Sequence, residues 1–430
     1  MASGPAPSVA RPGAFDALRV RDFRLFWVAA LVSNTGGWMQ AATIPYVIYQ
    51  LTGKVGQVGV TGFFQYVPFM VMGLVGGYVS DRFARRGTLV VVQLLQAVAA
   101  LALWLDVAAD VATPLSVTAL AFLSGLLGGL NTPVWQAFVV DLVPRDQLMG
   151  AVTLNSTQFN ASRALGPFLA GVVIAVFGAP AAFLLNAVSF FAVVGVLLVV
   201  RGRLSPHAHT EGFFSGVRTA ATHIWHTPAL VACCTAIVVV AGLGSPLFSF
   251  LPVYGESEFG VTGVRLGLLL GAGGVGAVLA APFLLSVVTR VRRAVALPAS
   301  MCCYGVAVAL TGLIRNYWVA LLAFMVFGGA YLAIASTINT SIQLVVADHL
   351  RGKVIAVYLA CLTGALPLGL LGWGWASAAT SLRATTVVAG VLLVVATGLL
   401  VVTRRFQVMS AADDARDVAQ EASAVGDPDA

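Results

Sequence analysis

The chain has 430 residues, of which 59% are hydrophobic and only 10% charged, against roughly 25% charged in an average soluble domain. So little charge cannot cover the surface of a water-soluble protein of this size, and so much apolar content excludes intrinsic disorder. The net charge of +7 would suit a nucleic-acid partner, but the excess of Lys and Arg in the cytoplasmic loops of a membrane protein accounts for it better. A mean hydropathy of +0.93 fits many membrane helices rather than a β-barrel, whose alternating strands average out.

In chain order, residues 1–24 hold Arg11, Arg19, Arg21 and Arg24 and no apolar core. They read as a cytoplasmic N-terminal segment and not as a signal peptide. Apolar runs of spanning length follow at about 25–51, 58–80, 88–108, 114–140, 150–177 and 181–200. A polar break at 201–228 contains Pro206, His207, His209, Glu211 and an amphipathic stretch near 213–225. Six further runs lie at about 229–253, 263–288, 294–314, 317–346, 354–376 and 383–403. The Asp- and Glu-containing segment 406–430 reads as a disordered cytoplasmic tail. The narrowest breaks are Gly178-Ala179-Pro180 and Arg315-Asn316. The expected fold is all-α: a polytopic membrane protein with twelve transmembrane helices in two pseudo-symmetric six-helix bundles. The bundles are 25–200 and 229–405, joined by the cytoplasmic loop 201–228.

Twelve spans put both termini on one side. With that side cytoplasmic, nineteen of the 24 basic residues lie inside, while Lys54, Arg265, Arg315 and Arg383 lie outside and Arg163 falls within a span. This bias is what the positive-inside rule requires. It orients a multi-pass chain with both termini cytoplasmic, and the expected location is a bacterial-type inner membrane. The two halves also look related. Asn131-Thr132 with Gln136 is echoed by Asn339-Thr340 with Gln343, Ile44-Pro45 by Leu251-Pro252, and Gly166-Pro167 by Leu366-Pro367. Such a duplicated unit is the repeat signature of secondary transporters.

Several features imitate other chemistry. Cys233, Cys234, Cys302, Cys303 and Cys361 all lie in apolar runs without zinc-ligand spacing, and read as reduced packing residues. Gly271-Ala272-Gly273-Gly274-Val275-Gly276 fits a dinucleotide fingerprint, but no strand precedes it, so it reads as close helix packing. Gly73/Gly77 and Gly125/Gly129 read the same way. His207, His209, His223 and His226 are poorly spaced for a metal. No Walker A sequence occurs. No cofactor, metal or nucleic acid is expected.

The break after the second run reads Gly77-Tyr78-Val79-Ser80-Asp81-Arg82-Phe83-Ala84-Arg85-Arg86-Gly87. One acid among three arginines can lock one conformation and release it on re-pairing, with Asp81 pairing to Arg or capping a helix. It can also be a plain cytoplasmic anchor. Gly-x-x-x-Asp-Arg-x-x-Arg-Arg at this place resembles the signature loop of the major facilitator superfamily, with Ala84 where the superfamily usually has Gly. The second-half counterpart, Thr289-Arg290-Val291-Arg292-Arg293, keeps basic charge and loses the acid. The resemblance implies alternating access of two bundles around a central cavity, with Gly77, Asp81, Arg82, Arg85 and Arg86 as a conformational switch. The stretch from Asn131 to Pro144, then Asn155, Asn160 and Arg163-Ala164-Leu165-Gly166-Pro167 with Gly171, is similar to the exporter branch that includes the enterobactin exporter and related multidrug and secretion carriers. Gly166, Pro167 and Gly171 resemble that branch's antiporter motif.

Arg163 is the most informative residue. It sits within the fifth run, where an Arg costs about 2.5–3.5 kcal/mol even on the lenient scale. It must find acceptors, with Asn155, Asn160, Asn131, Gln136 or an anionic substrate group as candidates. It is either a tether between helices or a substrate or coupling site. No Asp or Glu lies in the middle of any run, which favours neutral, zwitterionic or anionic substrates over cations. Asn34, Gln40, Asn131, Gln136, Asn339 and Gln343 complete the candidate cavity, with Trp38, Gln65, Trp135, Phe248 and Tyr331 as aromatic and amide walls.

The expectation is therefore a monomeric secondary carrier, not an enzyme. It would export a small amphipathic molecule such as a drug, siderophore or secondary metabolite, with protons as the coupling ion. An importer on the same fold and a polytopic membrane enzyme are the alternatives.

Overall fold

The computed structural model describes residues 15–200, 213–288, 291–346 and 348–407. The expectations for 1–14, 201–212 (with His207 and His209) and 408–430 fall outside the described residues. The first half folds as α1 (Arg21–Thr52), α2 (Val55–Arg82), α3 (Arg85–Ala108), α4 (Pro114–Asp141), α5 (Leu148–Phe177) and α6 (Ala179–Val199). The amphipathic stretch forms α7 (Phe213–His226). Span seven is composite: α8 (Pro228–Val239), a π turn Val240–Gly244, α9 (Pro246–Val253) and a second π turn Tyr254–Glu258. It is followed by α10 (Gly263–Val288), α11 (Arg293–Leu313), α12 (Tyr317–Val345), α13 (Asp348–Ala379) and α14 (Leu382–Val402).

Ten of these helices are long and apolar enough to cross a membrane, or eleven when the bent α2 is counted. The twelfth long helix, α1, falls short because its interior carries Ser33, Asn34, Thr35, Gln40 and Thr43. Those groups are turned inward onto other helices, so the polar face of α1 is covered by protein.

The short connections have local causes. Gly53 ends α1 in the left-handed conformation at φ 60°, where a Cβ is penalised. Thr113 and Ser116 form a capping box on α4. Gly178, at φ 82°, turns α5 directly into α6. The Asn316 side chain caps α12 and Ser381 caps α14. The two narrowest breaks in the sequence are thus real turns.

Contacts sort the long helices into two sets. In the first, α1 packs on α5 and α6, α2 on α4, and α3 on α4 and α6. In the second, span seven packs on α13 and α14, α10 on α12, and α11 on α12 and α14. The pairings are the same with each helix moved six spans along. The echoed residues obey that correspondence: Pro45 and Pro252 lie on α1 and α9, Asn131 and Asn339 on α4 and α12, Pro167 and Pro367 on α5 and α13.

Two faces can be named from the helix ends. Arg82, Arg85, Arg86, Arg145, Arg292, Arg293, Arg404 and Arg405 gather at one, the basic face. Lys54, Arg383, Glu256 and Glu258 lie at the other, the far face. The two sets of helices meet through α2–α13, α5–α10 and α1–α9, and closest in their far-face halves. A Cβ on Gly59 would lie 2.7 Å from the Gly374 Cα, and one on Gly171 would lie 2.0 Å from the Gly267 Cα. Gln50 at the end of α1 donates a 2.5 Å hydrogen bond to Glu256 of span seven. The molecule is therefore zipped together on the far face.

Candidate functional site

At the basic face, the arginine loop is tied into the first bundle. Arg85 at the start of α3 donates from Nη1 to both carboxylate oxygens of Asp141, at 2.9 and 3.0 Å. Asp141, the last residue of α4, is only 7% exposed, so the charge-assisted pair is held where water screens it little. Arg86 donates to the Leu197 and Leu198 carbonyls at 2.5 and 2.6 Å, neutralising the C-terminal end of α6. Arg82 donates to the Tyr78 hydroxyl at 2.8 Å. Asp81 is exposed one residue before the end of α2. The acid that holds Arg85 is thus Asp141 and not its neighbour in the loop. A Cβ on Gly77 or Gly73 meets nothing within 4 Å, so close packing does not explain these glycines. The close approach is at Gly76, whose Cβ would lie 2.5 Å from Pro133 on α4.

Halfway along the molecule, Arg163 is the 16th residue of the 30-residue α5. Its partner is none of the amides expected from sequence. The guanidinium lies over the ring of Tyr331, 4.9 Å from the centroid. Tyr331 is the 15th residue of the 29-residue α12, so the contact joins the two bundles at the midpoint of both helices. An aromatic wall holds Tyr331 in place. Phe248 packs at 5.8 Å and Tyr304 at 6.0 Å, and each also packs on Phe327, at 4.5 and 4.7 Å. Within the first bundle, Trp38 of α1 meets Phe159 of α5 edge to face at 5.9 Å. No hydrogen bond from Arg163 to a protein acceptor occurs among the described residues.

The amides divide by environment. Asn34 donates to Gln158 at 3.2 Å, and Gln158 donates to the Ala30 carbonyl and Ser162, both at 3.0 Å. Gln40 is buried; it accepts from Asn186 at 2.8 Å and donates to Ser124 at 3.3 Å, tying α1 to α6 and α4. Asn131 accepts from Gln93 of α3 at 3.2 Å. Asn160 donates to the Ser156 carbonyl at 2.9 Å. Gln136 is exposed, as are Asn339 and Gln343, which bond each other at 3.2 Å. Trp135 stacks on Phe26 at 4.3 Å inside the first bundle. The partners Gln158, Ser162, Asn186 and Gln93 did not stand out in the sequence, and Asp141 read only as an acid near the cytoplasmic end of the fourth run. Their signal is a polar residue on an apolar helix, as with Asn186, which is fully buried on α6.

The glycine motif of α5 serves two neighbours. A Cβ on Gly166 would lie 2.4 Å from the Trp38 Cβ on α1, while Gly171 faces Gly267 on α10 of the other bundle. Pro167 sits between them inside the helix. The dinucleotide-like run is likewise a packing surface: a Cβ on Gly276 would lie 1.8 Å from the Met325 carbonyl of α12.

Comparisons with known proteins agree with this geometry. The multidrug efflux pump Tap of Mycolicibacterium fortuitum is 25% identical over 84% of this chain and 90% of its own length. The staphyloferrin A transporter of Staphylococcus aureus is 23% identical over 81% and 87%. A bacterial homologue of the human lysosomal transporter Spinster, solved in an inward-facing and occupied conformation, superposes with a TM-score of 0.72 at 14% identity. That superposition covers 91% of this chain and 97% of that one and shows that the two share a fold. Residues 12–425 match the transmembrane secretion effector family, so the chain belongs to that family of the superfamily and is a secondary membrane transporter, not an enzyme.

Proposed function

We propose that the protein exports a small amphipathic molecule from the cytosol by alternating access, in exchange for protons. The basic face is cytoplasmic by the positive-inside rule, with both termini on that side, and the chain works as a monomer in a bacterial inner membrane. With the far face zipped by Gly59/Gly374, Gly171/Gly267 and Gln50–Glu256, the conformation is inward-facing. The observation that carries the reading is Arg163. It is a charged group at the midpoint of α5, set over Tyr331 of the opposite bundle and bonded to no acceptor of its own among the described residues. A permanent charge at that depth is tolerated facing a water-filled path between bundles, and such a path is what a carrier needs.

In this reading Arg163, Asn34, Asn131, Gln136, Asn339 and Gln343 face or flank the path, while Gln40 braces the wall behind them. Gly166, Pro167 and Gly171 let α5 lie against α1 and α10 during rocking. Gly77, Asp81, Arg82, Arg85 and Arg86 form the switch at the cytoplasmic edge, anchored through Asp141. The efflux and siderophore relatives support a drug, siderophore or secondary metabolite as cargo.

The test is accumulation of dyes, antibiotics and siderophore-like chelators in pump-deficient bacterial cells, with and without a protonophore. Lower accumulation with the protein, abolished by the protonophore, is the expected result. Higher accumulation would reverse the direction and make the protein an importer.

A further inference from the structure

We propose that the midpoint site recognises an anionic group on the transported molecule, a carboxylate or similar oxyanion that bonds the edge of the Arg163 guanidinium. The inference rests on the transport reading above and names the substrate class of that same site.

Charge balance is the first argument. Among the described residues, every acid on the long helices lies in a terminal turn. These are Asp22, Asp81, Asp106, Asp141, Glu256, Glu258 and Asp348. Arg163 at mid-helix has no carboxylate at its own depth. An arginine keeps its charge at any physiological pH, and a guanidinium facing the path with no protein acceptor leaves its donors to water or to a bound anion. Three other arginines show how this protein treats a partly covered guanidinium. Arg85 is held by Asp141, Arg86 by the Leu197 and Leu198 carbonyls, and Arg383 by Glu258 and the Ile314 carbonyl. Arg163 receives no such acceptor.

Geometry is the second argument. The Arg163 Cζ lies over the Tyr331 ring, 4.9 Å from its centroid, and Tyr331 is itself fixed by Phe248 and Tyr304. The ring contact satisfies none of the guanidinium N–H donors with an oxygen acceptor, and a pair of such donors matches the two oxygens of a carboxylate. The ring also restrains the side chain before a ligand arrives, which lowers the ordering cost of binding. Phe248 and Phe159, 39% and 45% exposed, offer apolar surface on either side for the body of an amphipathic anion. A cation in the same place would meet like charge with no acid beside it.

The experiment uses the purified full-length transporter and matched probes. Labelling of Arg163 by phenylglyoxal is followed by peptide mass spectrometry in the presence of 2-naphthoate, the 2-naphthylmethylammonium cation, or chloride at equal ionic strength. The expected result is that Arg163 is labelled and that saturating naphthoate slows labelling about tenfold, while the ammonium and chloride do not. Failure of naphthoate to protect, failure of Arg163 to label, or equal protection by chloride overturns the proposal. Arg163→Gln, checked as monodisperse, separates site from fold: it is expected to lose naphthoate-dependent quenching of tryptophan fluorescence, and retained quenching contradicts the assignment. Protection without any export in the cell assay would leave the anion site standing and remove the export reading. Export with no protection would do the reverse.

Discussion

The two bundles share one plan, yet the same helix triplet is built differently in each. In the first, α1, α5 and α6 are knit by buried polar groups: Asn34–Gln158–Ser162 joins α1 to α5, and Gln40–Asn186 joins α1 to α6. A Cβ on Gly36 would lie 2.6 Å from the Asn186 Oδ1, so the backbones are in close contact. In the second bundle the equivalent triplet is span seven, α13 and α14. Span seven is interrupted by two π turns and Pro246. A groove of about 810 Å³ lined by apolar residues such as Ala365, Gly372 and Ala389 runs along the three, although α13 still touches span seven closely, a Cβ on Gly369 lying 2.3 Å from the Gly242 carbonyl. Polar bonds in a low-dielectric interior are costly to break, whereas π turns and small residues let a helix bend. The contrast points to a rigid first bundle and a compliant second one. The Arg163–Tyr331 contact lies where the two meet.

Substitutions can break or sharpen this contrast. The largest effect is expected at the base of the rigid bundle. Asp141→Ala strands Arg85 in a mostly covered site and should lower unfolding stability by about 3–5 kcal/mol, the range for breaking a buried pair; thermal unfolding of the purified protein measures it. Gly36→Ala should cost about 1–3 kcal/mol, because the new methyl group meets the buried Asn186 amide and Asn186 backbone. An unchanged melting temperature there would mean that the first triplet is not tightly knit. Gln50→Leu removes the polar bond between bundles on the far face. It should raise the reactivity of a cysteine placed at that face toward an impermeant maleimide, with a shift of about 1 kcal/mol in the open–closed balance. The smallest effect should have the opposite sign. A Cβ on Gly372 meets nothing within 4 Å, so Gly372→Ala should stabilise by about 0.5–1 kcal/mol through helix propensity alone. The opposite signs of Gly36→Ala and Gly372→Ala are the sharpest form of the comparison.

Much of this was legible in the sequence. Runs of apolar residues located each long helix to within a few positions, since a spanning helix must be predominantly apolar. Two far-face turns were marked by Gly178 and Asn316, which supply turn geometry and a cap, whereas the roles of Gly53 and Ser381 emerged only from the fold. Arg163 stood out because charge in an apolar run demands explanation. Its contact did not, since Tyr331 belongs to another helix in the other half of the chain and only the tertiary fold joins them. The choice of Asp141 over Asp81 for Arg85 depends on how α3 meets α4. Gly73 and Gly77 were the wrong glycines for the same reason: the contact falls on Gly76, and helical phase relative to a neighbour is not written in local spacing. The π turns of span seven leave no compositional mark, because an extra residue in a turn alters hydrogen bonding without altering hydropathy.

The central claim is that the two bundles rock about the Arg163–Tyr331 contact. The most direct measurement is a pair of spin-label distances between α5 and α12, one at each face, in a cysteine-free background. Met149 and Leu344 mark the basic face, and Phe177 and Trp318 mark the far face; all four are exposed. On acidification in the presence of 2-naphthoate, the first distance should shorten while the second lengthens. Distances that stay fixed, or that change in the same direction at both faces, would contradict alternating access about this contact.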